Sequence, residues 1–215
     1  MNSELTALTQ RVRASLRPSL THPELAWLWP PLLRLLSRGE PVTVTQLAAA
    51  TARTDAEVRQ TMAALPDTEY DETGRIIGCG LTLRATGHRF TVDERELHTW
   101  CALDTLIFPS MLDRTARVES RCPATATPVR LTATPDEITH LEPATAVLSL
   151  VTPEHCTSVR TAFCEHVHFF ASPEAASSRP TDHPASTVLP IPEAHTLARQ
   201  LAQHPPGDEV PEHWC

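Results

Sequence analysis

The chain contains no lysine, and all 18 of its basic residues are arginine. That bias carries no functional reading by itself, but the charge balance does. Against 26 acidic residues the formal net charge is -8, which argues against phosphate binding as the main task. Also missing is any apolar run long enough to span a bilayer. The opening residues MNSELTALTQ lack the basic-then-apolar form of a secretory signal, so a cytoplasmic protein without membrane association is expected. There is no C-x-x-C pair either. The six cysteines, Cys79, Cys101, Cys122, Cys156, Cys164 and Cys215, are irregularly spaced. This usage suits free thiols in a reducing compartment and weakens a structural zinc site.

What is present reads as an α+β protein, with 215 residues giving ample material for a core. Pro23 to Ser37 reads as a helix broken or restarted near Pro30 and Pro31 and ended by Gly39, with Trp27 and Trp29 as core or an apolar lid. Thr45 to Ala50 and Thr54 to Leu65 follow as short helices. Turn chemistry at 71–74 then leads to strands over 75–84 and 88–92 that flank a turn at Thr86-Gly87. Three helices and a hairpin make a winged-helix-like N-terminal domain, residues 1–92, packed on a C-terminal mixed domain, residues 93–215, with antiparallel sheets and flanking helices.

In the second part, Thr115 to Glu119, Thr127 to Thr132 and Ala146 to Val151 read as strands, and Asp136 to His140 as a helical turn. A helix from about Pro153 to Phe163 and a closing helix over Glu193 to His204 are expected. Between them, 171–192 is rich in Pro, Ser, Ala and Thr and reads as a mobile loop. The tail to Cys215 reads as disordered.

Two clusters carry chemistry. In Trp100 to Pro109 (WCALDTLIFP), Asp93 and Glu96 have the form of a capping box, so a helix is predicted from there to about Phe108, ended by Pro109. Leu97, Trp100, Cys101, Asp104 and Ile107 recur on one apolar face. Burial there raises the carboxyl pKa of Asp104 beside the Cys101 thiol, and such a pair can trade one proton. The plainer reading is a buried small cysteine, with Asp104 as a local cap or paired with Arg95 or Arg114. In Phe163 to Phe170 (FCEHVHFF) a strand is predicted, with Cys164, His166 and His168 on one face as a zinc half-site or as structural histidines.

The chain resembles the organomercurial lyases (alkylmercury lyases). The resemblance is carried by TEYD at 68–71, GRIIGCGLTL at 74–83, LHTWCALDTLIFP at 97–109, TARV at 115–118 and FCEHVHFFAS at 163–172. It implies that Cys101 and Cys164 are the catalytic cysteines and Asp104 the catalytic aspartate, that Cys101, Cys164 and Asp104 bind mercury as substrate and product, and that Cys122 is structural. Some family members have a second cysteine after the one matched by Cys164, where this chain has Glu165. The resemblance further implies mercury detoxification without an organic cofactor, and Hg(II) product held by the two cysteines until small thiols or a mercuric reductase takes it. The N-terminal domain would then cover the active site, not read DNA.

The residue types suit that chemistry. Thiolates are soft ligands for a soft metal, and a neutral carboxylic acid can protonate a carbon made basic by sulfur donation to mercury. The alternatives are a mercury- or zinc-responsive winged-helix transcriptional regulator, and a metal-binding protein without turnover. Against the first, Arg59 and Arg53 are offset by Asp55 and Glu57 on the expected recognition helix. Cys156→Ser and Cys215→Ser are expected to leave activity nearly unchanged. A large loss in a hydrocarbon-release assay of either variant would show that other thiols carry the chemistry.

Overall fold

In the computed structural model, residues 3–20, 25–65, 67–153, 158–178 and 186–203 are described. Leucine spacing organises the front of the chain. Helix α2 (Leu25–Leu36) buries Leu28, Leu32, Leu33 and Leu36 completely on one face. At about 1.5–3 kcal/mol per buried leucine, this face outweighs the proline penalty, and the helix continues through Pro30 and Pro31, where a break was expected. Thr43 with Gln46, and Thr54 with Glu57, form capping boxes that start α3 (Val44–Thr51) and α4 (Asp55–Ala63). A helix absent from the sequence reading, α1 (Ser3–Leu20), buries Leu5, Leu8 and Val12. It packs against the C-terminal helix α8 (Ile191–Gln203), where Thr9 Oγ1 donates to Gln200 Oε1 at 2.7 Å.

The main sheet contains β1 (Glu69–Tyr70), β2 (Ile76–Cys79), β3 (Leu81–Thr82), β4 (His88–Val92), β5 (Arg95–Thr99), β6 (Ala116–Arg121), β7 (Pro128–Ala133) and β8 (Ile138–Glu142). Its order is β1-β2-β3-β5-β4-β6-β7-β8, and every pairing is antiparallel. The turn at 71–74 forms as expected, with Asp71 Oδ1 accepting the backbone N–H groups of Thr73 and Arg75. The single strand expected over 75–84 is broken at Gly80, whose φ of +82° is left-handed. No hairpin forms about Thr86-Gly87, because β5 lies between β3 and β4.

The largest correction concerns Asp93 and Glu96. They do not cap a helix. Asp93 and Glu94, at φ 47° and 62°, form the two-residue turn of the β4–β5 hairpin, in which Val92 faces Arg95 and Phe90 faces Leu97. The D-x-x-E spacing imitates a capping box, but burial of Phe90, Val92, Leu97 and Thr99 follows the two-residue period of paired strands. The expected domain boundary between 92 and 93 falls at this turn, inside one continuous sheet. The helix α5 (Asp104–Leu112) starts later and carries Pro109 within it.

Beyond it, the helical turn expected at 136–140 is instead strand β8 from Ile138 onward, held by pairing with β7. A smaller sheet, β10-β9-β11, is formed by β9 (Val147–Leu150), β10 (His168–Phe170) and β11 (Thr187–Pro190). The segment read as a loop over 171–192 therefore contains β11, the start of α8 and α7 (Pro173–Ser177), which Ser172 caps. The helix expected from Pro153 is described only as the single turn α6 (Val159–Ala162). Cys156 and the tail with Cys215 lie outside the described residues. Helices α2, α5 and α8 form one core with the main sheet, and Phe90 and Phe108 meet edge to face at 6.2 Å within it.

A Cβ on Gly80 would sit 2.9 Å from Phe108 Cζ, on a backbone that disfavours side chains. Gly80→Ala is expected to destabilise the fold by about 2 kcal/mol, read as a lowered urea midpoint.

Candidate active site

The strand-to-helix junction after β5 places the first thiol and the carboxyl group. Thr99 Oγ1 donates to Cys101 O at 2.8 Å, and Thr105 Oγ1 donates to Ala102 O at 2.7 Å, which fixes the path between strand and helix. Asp104 is the first helical residue and reaches back, its Oδ2 accepting the Cys101 N–H at 3.1 Å. Cys101 is thus not on the helix, as the capping-box reading required, but in the turn before it. Asp104 closes the turn before the helix and does not cap the helix, which has no side-chain cap, and Arg114 pairs with Asp93 instead, at 3.6 Å.

The second thiol arrives from far along the chain. Phe163 to Phe170 is not one strand: Cys164–His166 is a turn of 3-10 helix, and only His168–Phe170 is extended. The reason is local, since the Val167 N–H closes back on Cys164 O at 3.2 Å. The Ala102 N–H donates to Val167 O at 3.2 Å, so one backbone hydrogen bond ties the two cysteine segments together. One ligand atom from each of Cys101, Asp104 and Cys164 then lies within 4.8 Å of the others. Among the described residues this is the only group of three or more His, Cys, Asp or Glu side chains close enough to share an ion. His166 and His168 do not join it, and the His168 ring stacks on His88 at 6.3 Å. Cys122 is buried with Val147, Phe170, Ala175 and Ala176, as a packing cysteine would be.

Burial dominates the electrostatics. It pushes the Asp104 carboxyl up to about 7, against the smaller opposing effect of hydrogen bonds from Cys101. It also raises the Cys101 thiol, as does the neighbouring Asp104 carboxyl group, while hydrogen bonding with Cys164 and the Asp104 backbone N–H oppose the shift. Cys164 is raised well above the ordinary thiol value, first by its hydrogen bond to Cys101 and then by burial. At rest the site therefore keeps its protons on both sulfurs.

Four further residues anchor the turn that leads into Cys164, and the sequence reading missed them. Ser158 Oγ donates to Asp67 Oδ1 at 2.6 Å, and the Arg160 N–H donates to Asp67 Oδ2 at 3.2 Å. The Arg160 guanidinium pairs with buried Glu69 and lies 5.4 Å over the Trp100 ring. The turn that leads into Cys164 is thereby fastened to the segment before β1. Complementary charges at 67, 69 and 160 were visible, but nothing local links positions 91 to 93 residues apart.

Two buried thiols beside a carboxyl group that is about half protonated near neutrality make a site for a thiol-seeking metal with a proton donor alongside. Comparison with known proteins makes the class specific. A sequence model of the alkylmercury lyase domain matches residues 81–203, and one of the helix-turn-helix domain of alkylmercury lyase matches residues 7–80. The alkylmercury lyase of Streptomyces lividans is 51% identical over 215 residues, covering 100% of both chains. That of Staphylococcus epidermidis (strain ATCC 12228 / FDA PCI 1200) is 50% identical over 177 residues, 82% of each. A crystal structure of the mercury-bound form of MerB2 shares the fold, with a TM-score of 0.76 at 22% identity over 92% of this chain and 98% of that one. The chain belongs to the alkylmercury lyase family.

Because the Asp104 carboxyl is held near 7 in the folded state and lies near 4 when unfolded, folding takes up a proton between those values. Its contribution is greatest below about pH 4 and is lost as pH rises through about 7. Wild-type stability, measured by denaturant unfolding at several pH values, is expected to fall relative to Asp104→Asn across that window. Parallel curves would show a carboxyl group with an ordinary pKa.

Proposed function

We propose that the chain cleaves the carbon-mercury bond of alkyl- and arylmercury compounds by protonolysis, with Cys101, Cys164 and Asp104 as the reacting groups. The observation that carries this reading is the convergence of those three side chains within 4.8 Å, with both cysteines buried and Asp104 partly buried. Cys101 reacts first, because it lies directly beside Asp104, whose Oδ2 accepts the Cys101 N–H and whose carboxyl group can collect the thiol proton. Its sulfur bonds to mercury as its proton passes to Asp104. Cys164 adds as the second sulfur ligand and its own proton leaves the site. Sulfur donation makes the mercury-bound carbon basic, protonated Asp104 delivers its proton to that carbon, and the hydrocarbon departs. In sum, R–Hg⁺ and two thiols give R–H, one proton and Hg(II) on two thiolates.

The carboxyl proton affinity supports both halves of this cycle, since a group that titrates near 7 can take a proton from a thiol and give it to a carbanion-like carbon. No organic cofactor enters the reaction. Small external thiols remove Hg(II) and sustain turnover, with a mercuric reductase as the acceptor in the cell and a role in mercury detoxification. No helix among the described residues is long and apolar enough to cross a membrane. A cytoplasmic location is proposed because the chemistry needs reduced thiols.

The transcriptional-regulator alternative finds no support in the comparisons. Arg53, which such a role would aim at phosphates, pairs with Glu57 at 3.5 Å and lies 5.2 Å over the Trp27 ring.

Headspace gas chromatography of benzene, after mixing the protein with phenylmercuric ion and excess small thiol, tests the reading. Catalytic benzene release is expected from the wild type and none from Cys101→Ala or Cys164→Ala. Asp104→Ala is expected to keep mercury binding and to lose about a hundredfold or more in hydrocarbon release. Unchanged release from Asp104→Ala would remove the proton shuttle.

A further inference from the structure

The two sulfurs are held by unequal means. Cys101 lies at the end of a sheet strand, whereas α6, the turn that leads into Cys164, buries none of its residues, and its Val159 rests against the core only partly buried. What holds α6 is polar, and one of its anchors is built into the main sheet. Glu69 in β1 faces Gly78 in β2, and Gly78 faces Thr82 in β3, so the three positions form one row across three strands. The Glu69 side chain crosses the glycine, its Oε2 accepting the Thr82 hydroxyl while its Oε1 pairs with the Arg160 guanidinium. A Cβ at position 78 would collide with the Glu69 carboxylate and lie 2.7 Å from Thr82 Oγ1. The row is shaped around a charged group that is 7% exposed.

A buried carboxylate is a costly way to hold a sheet together, since an apolar residue of similar volume avoids the desolvation penalty. What the charge adds is a fixed place for Arg160. That guanidinium lies 5.4 Å over the ring of Trp100, the residue before Cys101, and its backbone is four residues ahead of Cys164. Further along, Val167 O accepts the Ala102 N–H. Cys164 therefore sits between two fasteners, at 160 and 167, and each of them bears on the segment around Cys101.

We propose that Glu69, acting through Arg160, is a positioning residue for the second sulfur, setting Cys164 at the distance from which it joins mercury already held by Cys101. The inference rests on the lyase reading above. No bond is made or broken at Glu69 or Arg160. With the clamp loosened, Cys101 still takes R–Hg⁺ and passes its proton to Asp104, but the two-sulfur state that makes the carbon basic forms late. The one-sulfur adduct, its hydrocarbon group intact, then accumulates.

The test uses the full-length chain and one equivalent of phenylmercuric ion, with benzene read by rapid quench and the phenylmercury adduct by native mass spectrometry. Glu69→Gln removes the charge and keeps the side-chain shape, and Gly78→Ala displaces the carboxylate while every anchoring residue stays in place. In both variants adduct formation is expected to stay within about twofold of wild type while single-turnover benzene formation slows about tenfold, so that the adduct builds up only there. The double variant is expected to lose no more than Glu69→Gln alone, because both changes act on one contact. Wild-type benzene rates in both single variants would overturn the proposal. So would an equal loss of adduct formation and benzene, which a disturbed fold gives, or losses that multiply in the double variant. A wild type that forms no benzene at all would instead overturn the lyase reading. Hydrogen exchange of the wild type needs no variant. Segment 158–167 is expected to be protected through the Arg160 and Val167 N–H groups, and exchange as fast as in an unheld turn would overturn the clamp.

Discussion

Removing the Asp104 carboxyl from water raises its proton affinity to near neutrality, and the surrounding residues are arranged so that this effect survives. An arginine against Asp104 would fix it as a carboxylate and leave it no proton to give. The nearby arginines are engaged elsewhere, Arg114 by Asp93 and Arg160 by Glu69. The Cys101 N–H does hydrogen-bond to Asp104 and opposes the shift, but a single backbone donor is a smaller effect than burial. The proton inventory of the site, with thiols protonated at rest and a carboxyl group able to carry one proton between sulfur and carbon, depends on that balance.

Bringing the second sulfur to this carboxyl group requires an anchor for its turn, and the anchor comes from the first part of the chain. Asp67 and Glu69 hold Ser158 and Arg160, so the turn that carries Cys164 is tied to the segment linking the helices to β1. Glu69 is itself 7% exposed and hydrogen-bonds Thr82, which makes it a buried anion satisfied from two sides. The helix-turn-helix part thus acts through its edge. Its apolar face is used internally, as Trp29 meets Phe108 at 6.2 Å and so packs α2 against the helix that begins at Asp104.

The chemistry was more legible in the sequence than the geometry. WCALDTLIFP and FCEHVHFF identified Cys101, Asp104 and Cys164 through a family resemblance, and the structure brings the three together. The local reading of both segments was nonetheless wrong. D-x-x-E before an apolar stretch satisfies a capping-box pattern, and only long-range pairing of Phe90 with Val118 and Leu97 shows that it is a hairpin turn. Aromatic and β-branched residues at 163–170 suggested a strand, but the backbone at Cys164 closes a 3-10 turn in order to meet Ala102. Short elements fixed by local side chains, such as the capped helices at Thr43 and Thr54, were placed to within a few residues. Elements fixed by distant partners were not: β8 depends on β7, β11 on β9, and α1 on α8.

The two buried sulfurs are chemically distinct although both are cysteines, and the difference originates in the backbone. Cys101 lies just ahead of a helix, beside the carboxyl group of its first residue, Asp104. Cys164 sits in a 3-10 turn that reaches the site from a distant part of the chain, so its sulfur arrives without the carboxyl neighbour that Cys101 has in its own segment. The carboxyl group that must collect a proton hydrogen-bonds Cys101, which makes that sulfur the first to react in the proposed cycle. A symmetric pair of thiols would lack that order. Placing one cysteine before a helix and the other on a separate turn gives the reaction its direction, and the single hydrogen bond from Ala102 to Val167 holds the two unequal positions at working distance.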